Sequence, residues 1–202
     1  MVFTAEDHQA VATAIREAEK KSGGQIVCVL ARASSDYAHV PILWASALGL
    51  LTPWPLIALT PWSVQRIFLA QIAVFIICTL IFSWLPLRMA LVPRAVRRAH
   101  AHRAALEQFV VRRVDRTKNR TGVLIFVSLA ERYARIIADQ GIAEKVQRAE
   151  WQAAIDDLVG HMRAGRVAAG FTAAIERCGD VLAAYAPPDG SPNELSDRLY
   201  VM

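Results

Sequence analysis

The fold of this chain is decided by two uncharged stretches, YAHVPILWASALGLLTPWPLIALTPWSVQ at residues 37–65 and IFLAQIAVFIICTLIFSWLPL at residues 67–87. Arg66 alone separates them. A helix crosses a hydrocarbon core about 30 Å thick with about 20 residues, and both stretches reach that length. A chain of 202 residues is too short to bury two such helices in a soluble core. The sequence therefore predicts a transmembrane hairpin of two helices.

The basic residues of the chain are unevenly placed. The net charge is +5 and the mean hydropathy is +0.29. Arginines crowd the segment after the second stretch, whereas the loop between the stretches holds Arg66 alone. The positive-inside rule then predicts a multi-pass protein with both termini in the cytoplasm, and tryptophans at the stretch ends fit aromatic belts. The predicted contacts with lipid or with a membrane partner are Arg88, Arg94, Arg97, Arg98, Arg103, Trp54, Trp62 and Trp84.

Two of the prolines of the first stretch lie near its middle. Pro53 and Pro55 remove backbone donors, so either the first span ends near Thr52 or its helix kinks there. In the same stretch, Ala45 and Gly49 have the small-xxx-small spacing that lets two helices approach closely, although one such match in an apolar run is common by chance. The second stretch has no proline before Pro86 and predicts the cleaner span.

The sequence on both sides of the stretches is typical of a globular α/β domain. Thr4 begins a capping-box-like helix start, and Val11, Ile15 and Ala18 recur on one face. The strand predicted at 25–31 cannot form a sheet alone, so it must pair with later strands across the inserted hairpin. The other predicted elements are strands at 122–128 and 133–138 and helices at 93–117, 143–162 and 167–185. The predicted domains are residues 1–38 (first part of the cytoplasmic domain), 39–88 (hairpin) and 89–202 (basic helix, remainder of the domain and tail).

The tail at 193–202 is predicted to be extended. It ends in the apolar run Leu199-Tyr-Val-Met202. Such a run rarely stays free in solvent, so we interpret the tail as a candidate clasp.

Several segments in a fixed order carry a resemblance to a known family. Phe3-Thr-Ala-Glu-Asp7 and Ser22-Gly-Gly-Gln-Ile-Val27 resemble the opening helix and first strand of the TPM domain family. Arg120–Arg132 resembles the family's second strand and the turn after it, and Ile136–Ile142 its glycine turn. Asn193-Glu-Leu-Ser-Asp197 resembles the tail of the membrane-anchored bacterial branch. The chain is thereby identified as similar to TPM proteins over nearly all of its soluble sequence.

This resemblance implies a three-layer α/β sandwich with a small mixed sheet. Known members include a thylakoid-lumen protein tied to photosystem repair and an accessory protein of an animal acetylcholine receptor. Some members are weak acid phosphatases and some bind calcium at an acidic cluster. Here Arg120 stands where the family has an acidic residue, and Ala143 stands where it has a glutamate. The remaining candidates for a metal site are Asp139, Glu131 and Glu144, and calcium normally takes six to eight oxygen ligands.

The residue patterns favour a binding role over catalysis. The sequence contains no nucleophile elbow, phosphate loop, CxxC or HExxH motif. We therefore expect a non-catalytic accessory or assembly protein, without cofactor, in the bacterial inner membrane, with lipids and an integral-membrane protein as partners and no nucleic acid. The alternative is a weak divalent-metal-assisted phosphatase that uses Asp139, Glu131 and Glu144. A lipid-interacting scaffold without a protein partner is a third interpretation.

Overall fold

The computed structural model describes residues 3–188, 190 and 193–202, apart from the side chain of Leu85. The chain forms two compact units. The first contains residues 1–34 and 99–202, and the second contains residues 35–98. The domain boundaries expected from sequence, at 38 and 88, stay predictions.

The described residues form nine α-helices and four strands. Helices α1 to α5 are Ala5–Lys20, His39–Leu51, Pro53–Leu59, Val64–Phe82 and Leu85–Leu91. Helices α6 to α9 are Arg94–Val111, Gln140–Ala143, Arg148–Arg163 and Val167–Tyr185. Strands β1 to β4 are Gln25–Ala31, Gly122–Ser128, Tyr133–Ala138 and Leu199–Val201.

The limits of β1, β2, β3 and α9 agree with those predicted, but two other helices differ. Helix α6 ends at Val111 because Arg113 takes a left-handed conformation with φ 58°, after which Val114–Arg116 form a 3-10 turn. The helix predicted from residue 143 begins instead at Arg148, because the backbone of Gln147 is extended. The residues before it form the short helix α7.

The sheet of the first unit is mixed, with strand order β3-β2-β1-β4. Strand β1 runs parallel to β2, with Gln25 opposite Gly122 and Ala31 opposite Ser128. Strand β3 is antiparallel to β2, and β4 is parallel to β1. All seven residues of β1 and of β2 are buried, which is why both strands are continuous apolar runs rather than alternating ones.

Helices cover both faces of this sheet. On one face Ile26, Cys28 and Leu30 pack in a cluster that includes buried residues of α1, α8 and α9. On the other face Val27, Val29 and Ala31 pack with Ala104 and Ala105 of α6. The predicted α/β architecture, a three-layer sandwich with a small mixed sheet, is confirmed.

The tail after α9 closes the edge of β1. The N–H of Met202 donates to the carbonyl of Leu30 at 3.0 Å, and the N–H of Arg32 donates to the carbonyl of Met202 at 2.7 Å. Beside these hydrogen bonds, two guanidinium groups contact the Tyr200 ring. The Cζ of Arg112 lies 3.7 Å from the ring centroid and that of Arg198 4.7 Å from it. The segment expected to be a clasp therefore contains a fourth strand.

The second unit contains two helical segments long and apolar enough to cross a membrane, His39–Leu59 and Val64–Phe82. The first runs through Pro53 because Thr52 keeps helical angles, φ −55° and ψ −41°. It does not end near Thr52, one of the two alternatives left open by the sequence. The buried residues of α2 are Pro41, Ala45 and Gly49. A Cβ on Gly49 would lie 3.4 Å from the Cβ of Phe75, so this small-residue stripe faces α4.

The contact between α1 and α9 generates a prediction. A Cβ added to Gly179 would lie 2.7 Å from the Cβ of Ala18, whereas one added to Gly160 on α8 would meet nothing within 4 Å. Gly179→Ala is expected to destabilise the protein by about 1–3 kcal/mol because the two helices must separate. Gly160→Ala is expected to stabilise it by about 0.5–1 kcal/mol because a helix interior favours alanine. Chemical denaturation in a neutral detergent measures both, and equal effects would contradict the close packing.

Candidate functional site

Glu131, one of the three carboxylates predicted as metal ligands, is buried and accepts hydrogen bonds from two neighbours. Its Oε1 accepts from the backbone N–H of Ser34 at 2.9 Å, and its Oε2 accepts from the hydroxyl of Ser128. Its exposed fraction is 6%. The carboxylate thus ties the loop after β2 to the segment that follows β1. Hydrogen bonds from the backbone N–H groups of Leu129 and Ala130 to the carbonyls of Ala31 and Arg32 reinforce the same junction.

Asp139 caps helix α7 and lies against an arginine. Its Oδ1 accepts from the N–H of Gln140 at 2.7 Å, while its own N–H donates to the carbonyl of Gly122 at 2.8 Å. The Nε of Arg120 lies 3.7 Å from Oδ2, which makes no hydrogen bond within the described residues. Arg120 also donates to the side chain of Gln140, which in turn donates to Glu144. The arrangement is a cap neutralised by a neighbouring cation.

The structure does not bring Glu131 and Asp139 together. Glu131 follows the end of β2, where Ser128 pairs with Tyr133, whereas Asp139 follows the other end of β3, where Ala138 pairs with Val123. At about 3.3 Å per residue the two ends of this hairpin are separated by roughly 20 Å. One ion cannot contact both carboxylates.

The carboxylates around Asp139 do not fit a calcium ion. Within the described part of the chain, no group of three or more His, Cys, Asp or Glu side chains is gathered where a metal could be held. Calcium binds six to eight oxygens, and the guanidinium of Arg120 already supplies the positive charge beside Asp139. At the position where the resemblance has an acidic residue, this chain thus has an arginine that forms an ion pair with Asp139.

A cleft at the N-terminal end of β1 contains charged residues that could not be singled out from the sequence. Its volume is about 350 Å³, and α1, the loop before β2 and the tail line it. At its base Glu19 accepts from the N–H of Ile26 at 2.8 Å and from Asn193 Nδ2 at 3.2 Å. Asn193 Nδ2 also lies 2.5 Å from Oδ1 of Asp197. One amide thus joins two carboxyl groups.

The pKa of Glu19 is raised to about 8 by this environment. Burial is the largest cause, since it disfavours the charged form. The hydrogen bond from Ile26 opposes the rise, and the neighbouring Asp197 adds to it. Glu19 therefore holds a proton near neutral pH. The signal in the sequence was the position of Glu19 one turn after Ile15, on the buried side of α1 just before the paired glycines.

Other contacts in the cleft hold the tail rather than present reactive groups. The side-chain oxygen of Gln25 accepts from the N–H groups of Glu194 and Leu195, both at 3.1 Å. The hydroxyls of Ser22 and Thr121 each donate to a backbone carbonyl, so neither is directed at a substrate position. The cleft can bind and release a proton at Glu19, and its geometry secures the segment that leads into β4.

The residues predicted to contact lipid or a partner divide between exposed and partly buried positions. Arg94, Arg98 and Arg103 on α6 are exposed, whereas Arg97 is half-buried. Nη1 of Arg88 lies 3.5 Å from Oδ1 of Asp36, within the second unit. The three tryptophans are all exposed: Trp54, Trp62 and Trp84.

Comparisons with known proteins assign the family of the domain. Residues 86–181 match the family model of the TPM domain. The fold is similar to the NMR structure of the BA42 protein from the psychrophilic bacterium Bizionia argentinensis, with a TM-score of 0.64 and 20% sequence identity. That alignment covers 100% of this chain and 97% of the other. No curated protein gives a significant match.

The family match begins within α5 and ends within α9, so it covers α6, β2 and β3. Strands β1 and β4 lie outside the matched residues but complete the same sheet. The order of the motifs, the matched segment and the fold agree. The chain therefore contains a TPM domain.

Proposed function

We propose that this TPM-domain protein is a non-catalytic accessory or assembly protein of the bacterial inner membrane. Its hairpin anchors it, both termini lie in the cytoplasm, and the TPM domain holds an integral-membrane partner at the cytoplasmic face. The observation that carries the proposal is the exposure of apolar side chains on α2, α3 and α4. Membrane lipids are the second partner, and they contact these exposed apolar side chains.

The exposed apolar side chains support a lipid environment for the hairpin. Only 11% of the most apolar window of His39–Leu59 and 6% of that of Val64–Phe82 is buried. Leu59 is 81% exposed and Val64 82%. A core helix of a soluble protein would bury such residues, and water-facing patches of this extent mark membrane or protein contacts. If lipid hydrocarbon surrounds these helices, their exposed apolar side chains no longer face water.

The basic residues of α6 support the cytoplasmic orientation. Arg94, Arg98 and Arg103 follow the second span and remain exposed. Basic residues next to a span stay on the cytoplasmic side and attract anionic headgroups. They also provide contacts for an acidic surface on a partner. Nucleic acid is not favoured because membrane tethering accounts for the charge.

The contacts of the acidic residues favour a binding role over phosphatase activity. Asp139 is neutralised by Arg120, and Glu131 serves the junction between the loops after β1 and β2. A metal-assisted phosphatase needs carboxylates that converge on one ion, and these two carboxylates lie at opposite ends of the antiparallel pair of strands β2 and β3. The phosphatase alternative has less support than the accessory role for this reason.

The orientation can be tested by cysteine labelling. In a Cys78→Ala background the remaining thiols, Cys28 and Cys178, are fully buried. Ser63→Cys, in the predicted outer loop, is expected to react with a membrane-impermeant maleimide in cells whose outer membrane is opened. Lys145→Cys, which lies exposed in the TPM domain, is expected to react only after the inner membrane is lysed. Labelling of both sites before lysis would contradict insertion, and the reverse pattern would invert the topology.

The accessory role can be tested by purification from native membranes in a mild detergent. We expect one membrane protein to co-purify in near-stoichiometric amount. The double variant Arg94→Glu/Arg98→Glu is expected to lose most of it because the basic face of α6 is reversed. Lys145→Glu/Arg148→Glu makes the same change of charge at exposed positions away from α6 and should retain the partner. Recovery of the wild-type chain alone would contradict a stable accessory role.

The interpretation of Glu19 as part of the clasp rather than a catalytic acid predicts a pH dependence of stability. The folded pKa is about 8 and the ordinary value 4.5, so between these values the folded state holds a proton that the unfolded state has lost. The free energy of unfolding therefore falls as pH rises from 4.5 to 8, on the order of 3 kcal/mol allowing for partial exposure. Below pH 4.5 both states are protonated and the contribution is constant.

Glu19→Gln is expected to flatten this pH profile, because the amide imitates the protonated carboxyl without titrating. Glu17→Gln, two residues away on the exposed side of α1, is the control. The pKa of Glu17 is lowered by its hydrogen bond to Lys20, so its removal should leave the fall between pH 5 and 8 in place. Denaturant titrations at pH 5, 6.5 and 8 measure the three profiles. An unchanged slope in Glu19→Gln would assign the pH dependence to another group.

A further inference from the structure

The outer edge of β3 has hydrogen-bonding groups without a strand to pair with. Within the described residues β3 has one neighbour, β2. The N–H of Asp139 donates to the carbonyl of Gly122, which fixes the alternation of the ladder. The backbone groups of Ala134, Ile136 and Ala138 then point away from β2. No described residue makes a hydrogen bond to these outward groups.

A groove lies beside this edge, between β3 and the C-terminal half of α8. Its volume is about 520 Å³. The side chains of Leu129, Tyr133, Ala134, Val159 and Met162 give it an apolar lining. A strand added to β3 would direct alternate side chains towards this groove, as successive residues of a strand point to opposite faces.

Two arginines complete the lining of the groove. Arg132 and Arg163 are exposed, and no ion pair of either is present among the described residues. The described lining contains no acidic residue. Glu131 is adjacent in sequence, but its carboxylate is directed inward to Ser34 and Ser128. The groove therefore favours a ligand with negative charge.

We propose that the outer edge of β3 and its groove bind an extended acidic segment of a protein partner by strand addition. Main-chain hydrogen bonds to Ala134 and Ile136 supply the register, apolar side chains of the segment enter the groove, and acidic side chains pair with Arg132 and Arg163. This inference rests on the proposed accessory function, since it names the chemistry of the partner.

A second copy of this chain is a poorer occupant of the same edge. Antiparallel pairing of two β3 edges about Ile136 would bring the Arg135 side chains of the two copies near each other, and like charges in proximity are repelled. Arg135 is exposed on the other face of β3, with Nη1 3.1 Å from Nδ1 of His102. The edge thus opposes self-association and accepts an acidic strand.

The test uses the full chain in a neutral detergent and the blocked ten-residue peptide Val-Thr-Glu-Thr-Val-Thr-Glu-Thr-Val-Thr, in which valine and glutamate occupy the same face of the strand and threonine the other. We expect saturable binding and slower amide exchange at Ala134, Ile136 and Ala138. The same peptide with lysine in place of both glutamates is expected not to bind. Arg132→Glu/Arg163→Glu should weaken binding about tenfold, as expected for the loss of two partly exposed ion pairs. Lys145→Glu/Arg148→Glu, with the same charge change, should leave it unaltered.

Several outcomes would overturn the inference. These are no binding by the wild-type chain, equal binding of the two peptides, and equal binding by the two double variants. Binding without protection of the β3 amides would exclude strand addition. If short-chain phosphatidylglycerol displaces the peptide and itself requires Arg132 and Arg163 without protecting the edge, the groove is a headgroup site and the inference fails.

Failure of this inference differs from failure of the accessory role. If a native partner co-purifies equally with the wild type and with Arg132→Glu/Arg163→Glu, the β3 edge is not its contact. The accessory role is then still supported. If the wild-type chain purifies alone but binds the acidic peptide with protection of the β3 amides, a stable accessory complex is contradicted. The β3 edge is then still supported as a binding surface.

Discussion

The parallel pairing of β1 with β2 is the constraint on which the rest of the structure depends. Parallel neighbours require a crossover connection, usually a helix, that returns the chain to the same end of the sheet. Here that connection contains everything between Ala31 and Gly122, including the hairpin and α6. Helix α6 performs the usual task of the crossover, because Ala104 and Ala105 cover one face of the sheet. The hairpin is therefore an insertion into a βαβ unit.

The same pairing makes the first unit depend on distant parts of the sequence. Strand β1 is central, with β2 on one side and β4 on the other, and neither neighbour is close to it in the chain. Contacts of large sequence separation slow folding, since loop closure precedes any gain from pairing. The tail adds its own contacts to β1 through Gln25 and Glu19. The clasp thus completes a sheet in which β1 precedes the hairpin in the sequence and both of its neighbours, β2 and β4, follow it.

Burial explains which elements could be predicted from the sequence. Strands β1 and β2 were located correctly because all of their residues are buried and both are bounded by glycine or polar residues. Strand β4 was missed as a strand because it has three residues, of which Leu199 alone is buried. A periodic pattern cannot be recognised over so short a segment, and the strand with which it pairs, β1, is distant in the sequence.

The candidate site was harder to predict than the fold because its composition depends on which residues the strand pairing places at the same end of the sheet. Glu131 and Asp139 are eight residues apart in sequence, which made a shared site plausible, but an antiparallel hairpin places the residues after its two strands at opposite ends. The Glu19–Asp197 pair joins the first helix to the tail, a proximity that no local pattern encodes. Arg120 was the informative residue, because replacing a carboxylate by a guanidinium changes what Asp139 can bind.

Glu131 links the segment that leads to the hairpin with the turn that lines the groove beside β3. Its carboxylate holds the N–H of Ser34, the residue at which the chain leaves the first unit for the hairpin. The next residue, Arg132, lines the groove beside β3. The turn from Leu129 to Arg132 therefore contacts the segment that leads to the hairpin and also lines the groove. Because Glu131 is buried and makes hydrogen bonds on both oxygens, it fixes this turn. An acidic segment bound along β3 would thus begin at the end of the sheet at which the chain leaves the first unit, so the proposed contact and the connection to the hairpin share one fixed turn.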